Sequence, residues 1–167
     1  MRLSRPLVNK AEARPGPGRK KSVSWVLTAL TLGFIFLAAA ATGGPELSEY
    51  GNPFTWVRVG QARVKAEVVT TPEKIFRGLG YRSQLPAGQG MLFLMPEVAT
   101  QVFCMRGMEF AIDILWLVPG RVVGLEKNVS PQFAGDLTSP EPVNYVLEVP
   151  AGFCDQHGVK VGDQVSW

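Results

Sequence analysis

The chain has 167 residues, 46% hydrophobic and 19% charged, a balance that suits a folded domain and excludes a disordered polyelectrolyte. Its formal net charge of +3 is concentrated at one end, because seven of the 17 Lys and Arg lie in the first 21 residues against one acid of the 14. That leaves 10 basic and 13 acidic residues, a net −3, for everything after. The sequence pI near 9.0 therefore marks a basic head, not a nucleic-acid surface, and no nucleic-acid partner is expected.

The basic head, residues 1–22, runs into "VSWVLTALTLGFIFLAAAA", residues 23–41, which carries no charge. Its length approaches the roughly 20 residues that a helix needs to cross a bilayer. Positive charge before the run predicts a cytoplasmic N-terminus and an exported remainder. The small-residue ending "AAAATGG" resembles a signal-peptide cleavage region, which would release a soluble product. The long basic stretch, and an apolar run beyond the roughly 7–15 residues of a signal core, favour an uncleaved anchor. Either way the expected location is the extracytoplasmic side of the cytoplasmic membrane, anchored or secreted. Its partners would be the membrane, through residues 23–41 if they are uncleaved, and an unknown envelope ligand or protein. No Cys follows the run to take a lipid.

Residues 42–53, "TGGPELSEYGNP", read as a linker, and the domain occupies 54–167. "ARVKAEVV" alternates apolar and charged residues, as a half-buried antiparallel strand does. Next comes a helix start: Thr71 to cap, Pro72 for the first helical position and Glu73 for the positive end, with Gly78 or Gly80 to stop it. "GMLFLM" reads as a buried strand stopped by Pro96, and "TQVFCM" as another. "FAIDILWLV" and "RVVGLEKNV" flank Pro119-Gly120 and predict a β-hairpin. "VNYVLEV" is a further strand, "AGFCDQHG" a short helix closed by Gly158, and "VKVGDQVSW" a turn and a last strand. The expected fold is mainly β (α+β): a small rolled sheet or barrel of about seven or eight short, mostly antiparallel strands with two short helices, preceded by one N-terminal apolar helix.

One carboxylate stands out. On a period of two, Asp113 shares a strand face with Leu115 and Leu117, and the other face is apolar too. An ionised carboxylate left unpaired there would cost several kcal/mol, so it needs backbone donors or a cation. Arg77, Arg82 and Arg106 are the available cations, and Arg favours bidentate pairing. The arrangement reads either as a structural network that fixes the strand or as the polar floor of a ligand pocket made by Arg77, Arg82, Arg106 and Asp113.

Met91, Met95, Cys104, Met105 and Met108 form a sulfur-rich set that suits Cu(I), although Met is also the usual filler of irregular cores. Cys104 and Cys154 are the only thiols, and an exported domain would permit but not require a bridge between them. His157 stands three residues after Cys154, yet a packed Cys accounts for that spacing. There is no zinc-protease motif, phosphate loop or paired-cysteine motif, so no catalytic residue, metal or cofactor is assigned.

Three stretches, "TPEKIFRGLGYRSQLPAGQGMLFLMPE", "VFCMRGMEFAIDILWLVPGRVV" and "SPEPVNYVLEVPAGFCDQHGVKVGDQV", resemble in that order the domain-of-unknown-function family 192. The resemblance implies a mainly β domain without an assigned activity. It draws attention to Arg77-Gly78-Leu79, Arg82, Gly90-Met91, Met105, Arg106 and Asp113. It also exposes departures: Cys104 stands where Trp is common, Arg106 where Lys is, Gly107 where Asn is and Ala111 where Pro is. The expectation is an exported or membrane-tethered ligand-binding or accessory protein. The alternatives are an envelope hydrolase using Asp113, with Glu109 as a second acid, and a Cu(I)-binding protein.

Overall fold

The computed structural model describes residues 44–167, so the apolar run at 23–41 and its helix lie outside the described residues. Nine strands and two short helices follow in order: β1 Phe54–Val59, β2 Ala62–Val69, α1 Pro72–Arg77, β3 Gln89–Ala99, β4 Val102–Phe103, β5 Ile112–Val118, β6 Arg121–Val129, β7 Leu137–Thr138, β8 Val143–Pro150, α2 Phe153–His157 and β9 Val165–Ser166. Seven strands make one curled sheet, a half-barrel, in the order β6-β5-β8-β3-β2-β1-β9, and β4 and β7 form a separate ribbon. Among the described residues no helix is long and apolar enough to cross a membrane.

Local chemistry accounts for most of these elements. Thr71 caps α1 by accepting from the Lys74 amide, Pro72 opens the helix and Gly78 closes it with φ of 53°. The β5–β6 hairpin turns at Pro119-Gly120, where Gly120 adopts φ of 79°. All the remaining pairings of the main sheet are antiparallel except β2 with β3, which run parallel because α1 lies in the crossover between them.

Two strand boundaries differ from the sequence pattern. β3 does not stop at Pro96 but runs to Ala99, with its pairing to β8 shifted between Leu94 and Ala99. Proline removes one ladder donor, so it breaks the register locally while the extended backbone continues. "TQVFCM" keeps only Val102–Phe103 as strand, tied to β7 by reciprocal Gln101–Ser139 hydrogen bonds. Phe103 is the reason the ribbon folds over the sheet: its ring meets Phe93 and Trp116 edge-on, at 5.0 and 5.5 Å.

Both faces of the sheet carry an apolar cluster. One joins Val64, Leu92, Leu115, Leu147 and Val149 to Phe153 and Cys154 of α2. The other joins Met91, Phe93, Ile114, Trp116 and Val146 to Leu79 and Met105, with Ile75 of α1 and Phe103 packed on it. Gly90 lets the strands meet closely, because a Cβ there would stand 2.7 Å from the Glu148 carbonyl oxygen.

Candidate functional site

The second face is only partly closed. Between α1, the end of β3, β4 and the 104–108 segment lies a cleft of about 540 Å³. Its walls include Ile75, Phe76, Phe93, Met95, Phe103 and Met108, and its polar groups include Arg77, Arg106, Cys104 and Glu148. A concave site of this size with few polar groups is the usual form of a small-molecule pocket. Arg77 and Arg106 are exposed, and the Arg106 guanidinium stacks 4.2 Å from the centre of the Phe76 ring, itself 72% exposed.

Arg82 stands beside this site but is already engaged. It is buried and donates two hydrogen bonds to Glu67 of β2, at 2.5 and 3.1 Å, while its guanidinium covers the Tyr50 ring at 3.7 Å. Asn52 and Ser48 donate to the same carboxylate at 2.7 and 2.9 Å. Burial pushes the Glu67 carboxyl up, but the hydrogen bonds from Arg82, Asn52 and Ser48 outweigh it and hold the group below its ordinary value.

Glu148 has no such partners. It projects from β8 on the same face, and across β3 it sits in register with Met91, which in turn pairs with Glu67. Its side chain is buried, and among the described residues its Oε2 has no hydrogen-bond partner. Burial raises its pKa to about 8, with the Arg82 charge acting the other way. At neutral pH it is a protonated carboxyl in the wall of an apolar cleft.

Asp113 is not with them. It points to the other face of β5, fully buried, and none of the three arginines is its partner. Its Oδ1 accepts from the Asn128 and Gly152 amides at 2.7 and 3.2 Å, and its Oδ2 from the Cys154 amide at 2.8 Å. Gly152 begins α2 without a side-chain cap of its own, so Asp113 supplies that cap from another strand. The arginine expected for Asp113 is replaced by backbone donors, and a carboxylate so enclosed has no access to a glycosidic bond. Glu109, its suggested second acid, is exposed on a different segment.

The thiols are separate and free: Cys104 is exposed at the cleft, while Cys154 is buried under α2. Burial, reinforced by Asp113, pushes the Cys154 thiol up to about 12, so a thiolate paired with His157 does not form near neutral pH. The His157 ring lies against Phe153 instead, with centres 4.6 Å apart. Of the sulfur set, Met91 and Met105 are core, whereas Met95, Cys104 and Met108 reach the cleft. Among the described residues no three His, Cys, Asp or Glu side chains come together as a metal site. Gly107 adopts φ of 72°, and a Cβ there would stand 2.9 Å from the Tyr81 ring, so glycine suits both the backbone and the packing at this position.

Glu67 and Glu148 are the residues that sequence pattern missed. Glu67 alternates with Arg63 and Lys65 and so reads as solvent-facing. Glu148 is a single acid in an apolar strand, the signal that singled out Asp113, and it was available in "VNYVLEV".

These features define a small half-barrel β domain with an apolar cleft flanked by arginines. The chain belongs to the domain-of-unknown-function family 192: the family model, described as "Uncharacterized ACR", matches residues 55–167. It is similar to a crystal structure of a protein of unknown function from Novosphingobium aromaticivorans, at 26% identity and a TM-score of 0.71, covering 75% of this chain and 94% of that one. It is also similar to a protein from Sinorhizobium meliloti whose name offers transcription regulation as a candidate role, at 29% identity and a TM-score of 0.66, covering 72% and 96%. No curated protein matches the chain.

Proposed function

We propose that the domain binds a small amphipathic anion in the cleft, as a ligand-binding or accessory protein of the cell envelope without catalysis of its own. The observation that carries this is the pairing of apolar walls with two exposed arginines, Arg77 and Arg106, at one concave site. Apolar burial supplies affinity, and the guanidinium groups orient an anionic head. The site falls short of a catalytic set. Asp113 is enclosed elsewhere and Cys154 stays a thiol, while Glu148 has no second acid or nucleophile bonded to it among the described residues.

The envelope location rests on the basic head and the apolar run at 23–41, which would tether the domain to the membrane or be cleaved to release it. Alkaline phosphatase fused after Trp167 should be active, and activity of a cytoplasmic reporter at that position instead would refute export. For the cleft, calorimetry of the full chain in a neutral detergent against carboxylates, phosphates, neutral sugars and Cu(I) is the direct test. Binding of an apolar carboxylate that Arg106→Ala weakens about tenfold is expected. A panel in which nothing binds, or in which Cu(I) alone does, would end this reading.

A further inference from the structure

The cleft has a second polar feature, and it lies on the inside. Glu148 is 6% exposed, lines the cleft, and leaves Oε2 without a partner among the described residues. A buried polar atom left unpaired costs free energy, so its persistence in a cavity wall points to a partner that arrives with a ligand. Its surroundings say which kind. On the neighbouring strands the same-face residues are Met91 and Phe93 on β3 and Ile114 and Trp116 on β5, apolar but for the Trp116 indole N–H, which is likewise buried without a partner among the described residues. The charged group that bears on it is Arg82, bound to Glu67 on β2, while Arg77, Arg106 and the Cys104 thiol line other parts of the same cleft.

Arg82 is the one charge that bears on Glu148, and it is itself paired to Glu67, so apolar burial dominates at this oxygen and disfavours an ammonium partner while suiting a neutral one. A protonated carboxyl in apolar walls is a hydrogen-bond donor, and it costs less to bury than an ionised one. Building on the anion-binding reading above, we propose that Glu148 is the inner anchor of the cleft. It donates a hydrogen bond to a carbonyl or similar neutral acceptor on a ligand whose opposite end presents a carboxylate to Arg77 and Arg106. The ligand class is thus a small keto acid or acyl-substituted aryl acid, with an apolar body between its two polar ends.

The test compares near-isosteric pairs that differ in the acceptor alone: 4-acetylbenzoate with 4-isopropylbenzoate, and 5-oxohexanoate with 5-methylhexanoate. Affinities are measured by calorimetry on the full chain in neutral detergent, in a Cys104→Ser background so that no exposed thiol remains at the cleft. At pH 6.5 the acceptor-bearing acid should bind about fivefold more tightly than its partner. That preference should fade as pH rises through about 8, where Glu148 ionises and stops donating. Glu148→Gln, which still donates, should keep the preference at every pH. Glu148→Leu should lose it, binding the two members of each pair alike.

Equal binding within each pair, or a preference that persists unchanged at pH 9.5 in the protein with Glu148, would overturn the role of Glu148 and leave the anion cleft standing. Tighter binding of 4-(aminomethyl)benzoate than of 4-acetylbenzoate would overturn it too, by making Glu148 a counter-ion. Failure of every acid to bind any variant would remove the anion-binding reading itself. Melting curves separate these outcomes from misfolding, since both substitutions at Glu148 should leave the protein folded.

Discussion

The two faces of the sheet treat a buried carboxylate in opposite ways. Beneath α2, Asp113 receives three backbone amides and ties β5 to the end of β6 and the start of α2. On the cleft side, Glu67 is satisfied by Arg82, Asn52 and Ser48, yet Glu148, two strands away, is left with an unpartnered oxygen. Burial by itself therefore says little about function here. The informative difference is between buried carboxylates whose bonds are complete and the one whose bonds are not. The complete ones tie strands and segments of the half-barrel together, and the incomplete one lines the cleft.

Substitutions sharpen that contrast. The largest effect should come from Arg82→Met, which strands Glu67 as a buried anion. A loss of about 3–5 kcal/mol in urea denaturation at pH 7 is expected, and a loss under ~1 kcal/mol would show that the pair is not the linchpin of that face. Because the folded-state pKa of Glu67 is depressed, the stability it confers is present above the unfolded value of 4.5 and is lost as pH falls below it. The Arg82→Met protein should accordingly lose much of the parent's acid sensitivity.

Asp113→Asn should cost less, about 1–3 kcal/mol, since one oxygen becomes an N–H₂ facing amide donors. Its cleft affinity should be unchanged, because the residue lies on the opposite face. A selective loss of ligand binding in a folded Asp113→Asn protein would break the separation of the two faces.

Glu148→Gln should move stability at pH 7 least among the buried acids, and should more readily raise than lower it. With the folded pKa raised from 4.5 to about 8, the folded state keeps its proton while the unfolded state sheds it. The parent should therefore be most stable below about 4.5 with respect to this group, lose that stability as pH rises to about 8, and level off above. Melting temperatures of the parent and of Glu148→Gln should diverge across that window, with the Gln protein flatter. Parallel curves would mean that Glu148 is not held neutral. The smallest stability effect, within about 0.5 kcal/mol, should be that of Arg106→Ala, an exposed side chain whose loss shows in binding and not in folding.

Much of the fold was legible because its signals are local. Thr71, Pro72 and Gly78 sit within one short helix, and Pro119-Gly120 within one hairpin, so the bonds they make are with near neighbours in the chain. Period-two alternation likewise assigned Asp113 to the face of Leu115 and Leu117, where it lies. Arg77 and Arg106 were singled out as cations available to Asp113, and both lie at the cleft on the other face instead. The partners of the carboxylates were not legible. Asp113 meets amides 15, 39 and 41 residues away, and Arg82 meets Glu67 across 15. No pattern in "FAIDILWLV" distinguishes an arginine from a distant helix start as the donor.

The sequence by itself determined that this is a small, mainly β domain behind a basic and apolar N-terminal stretch, because turns, caps and alternation are written over a few adjacent residues. Only the tertiary structure decided that Asp113 is a structural cap, that Arg82 is consumed by Glu67, and that Glu148 is the acid left facing the cleft. The physical reason is that the cost of a buried charge depends on which groups the fold brings within about 3 Å of it. That is a property of long-range packing, and residue type and spacing do not encode it.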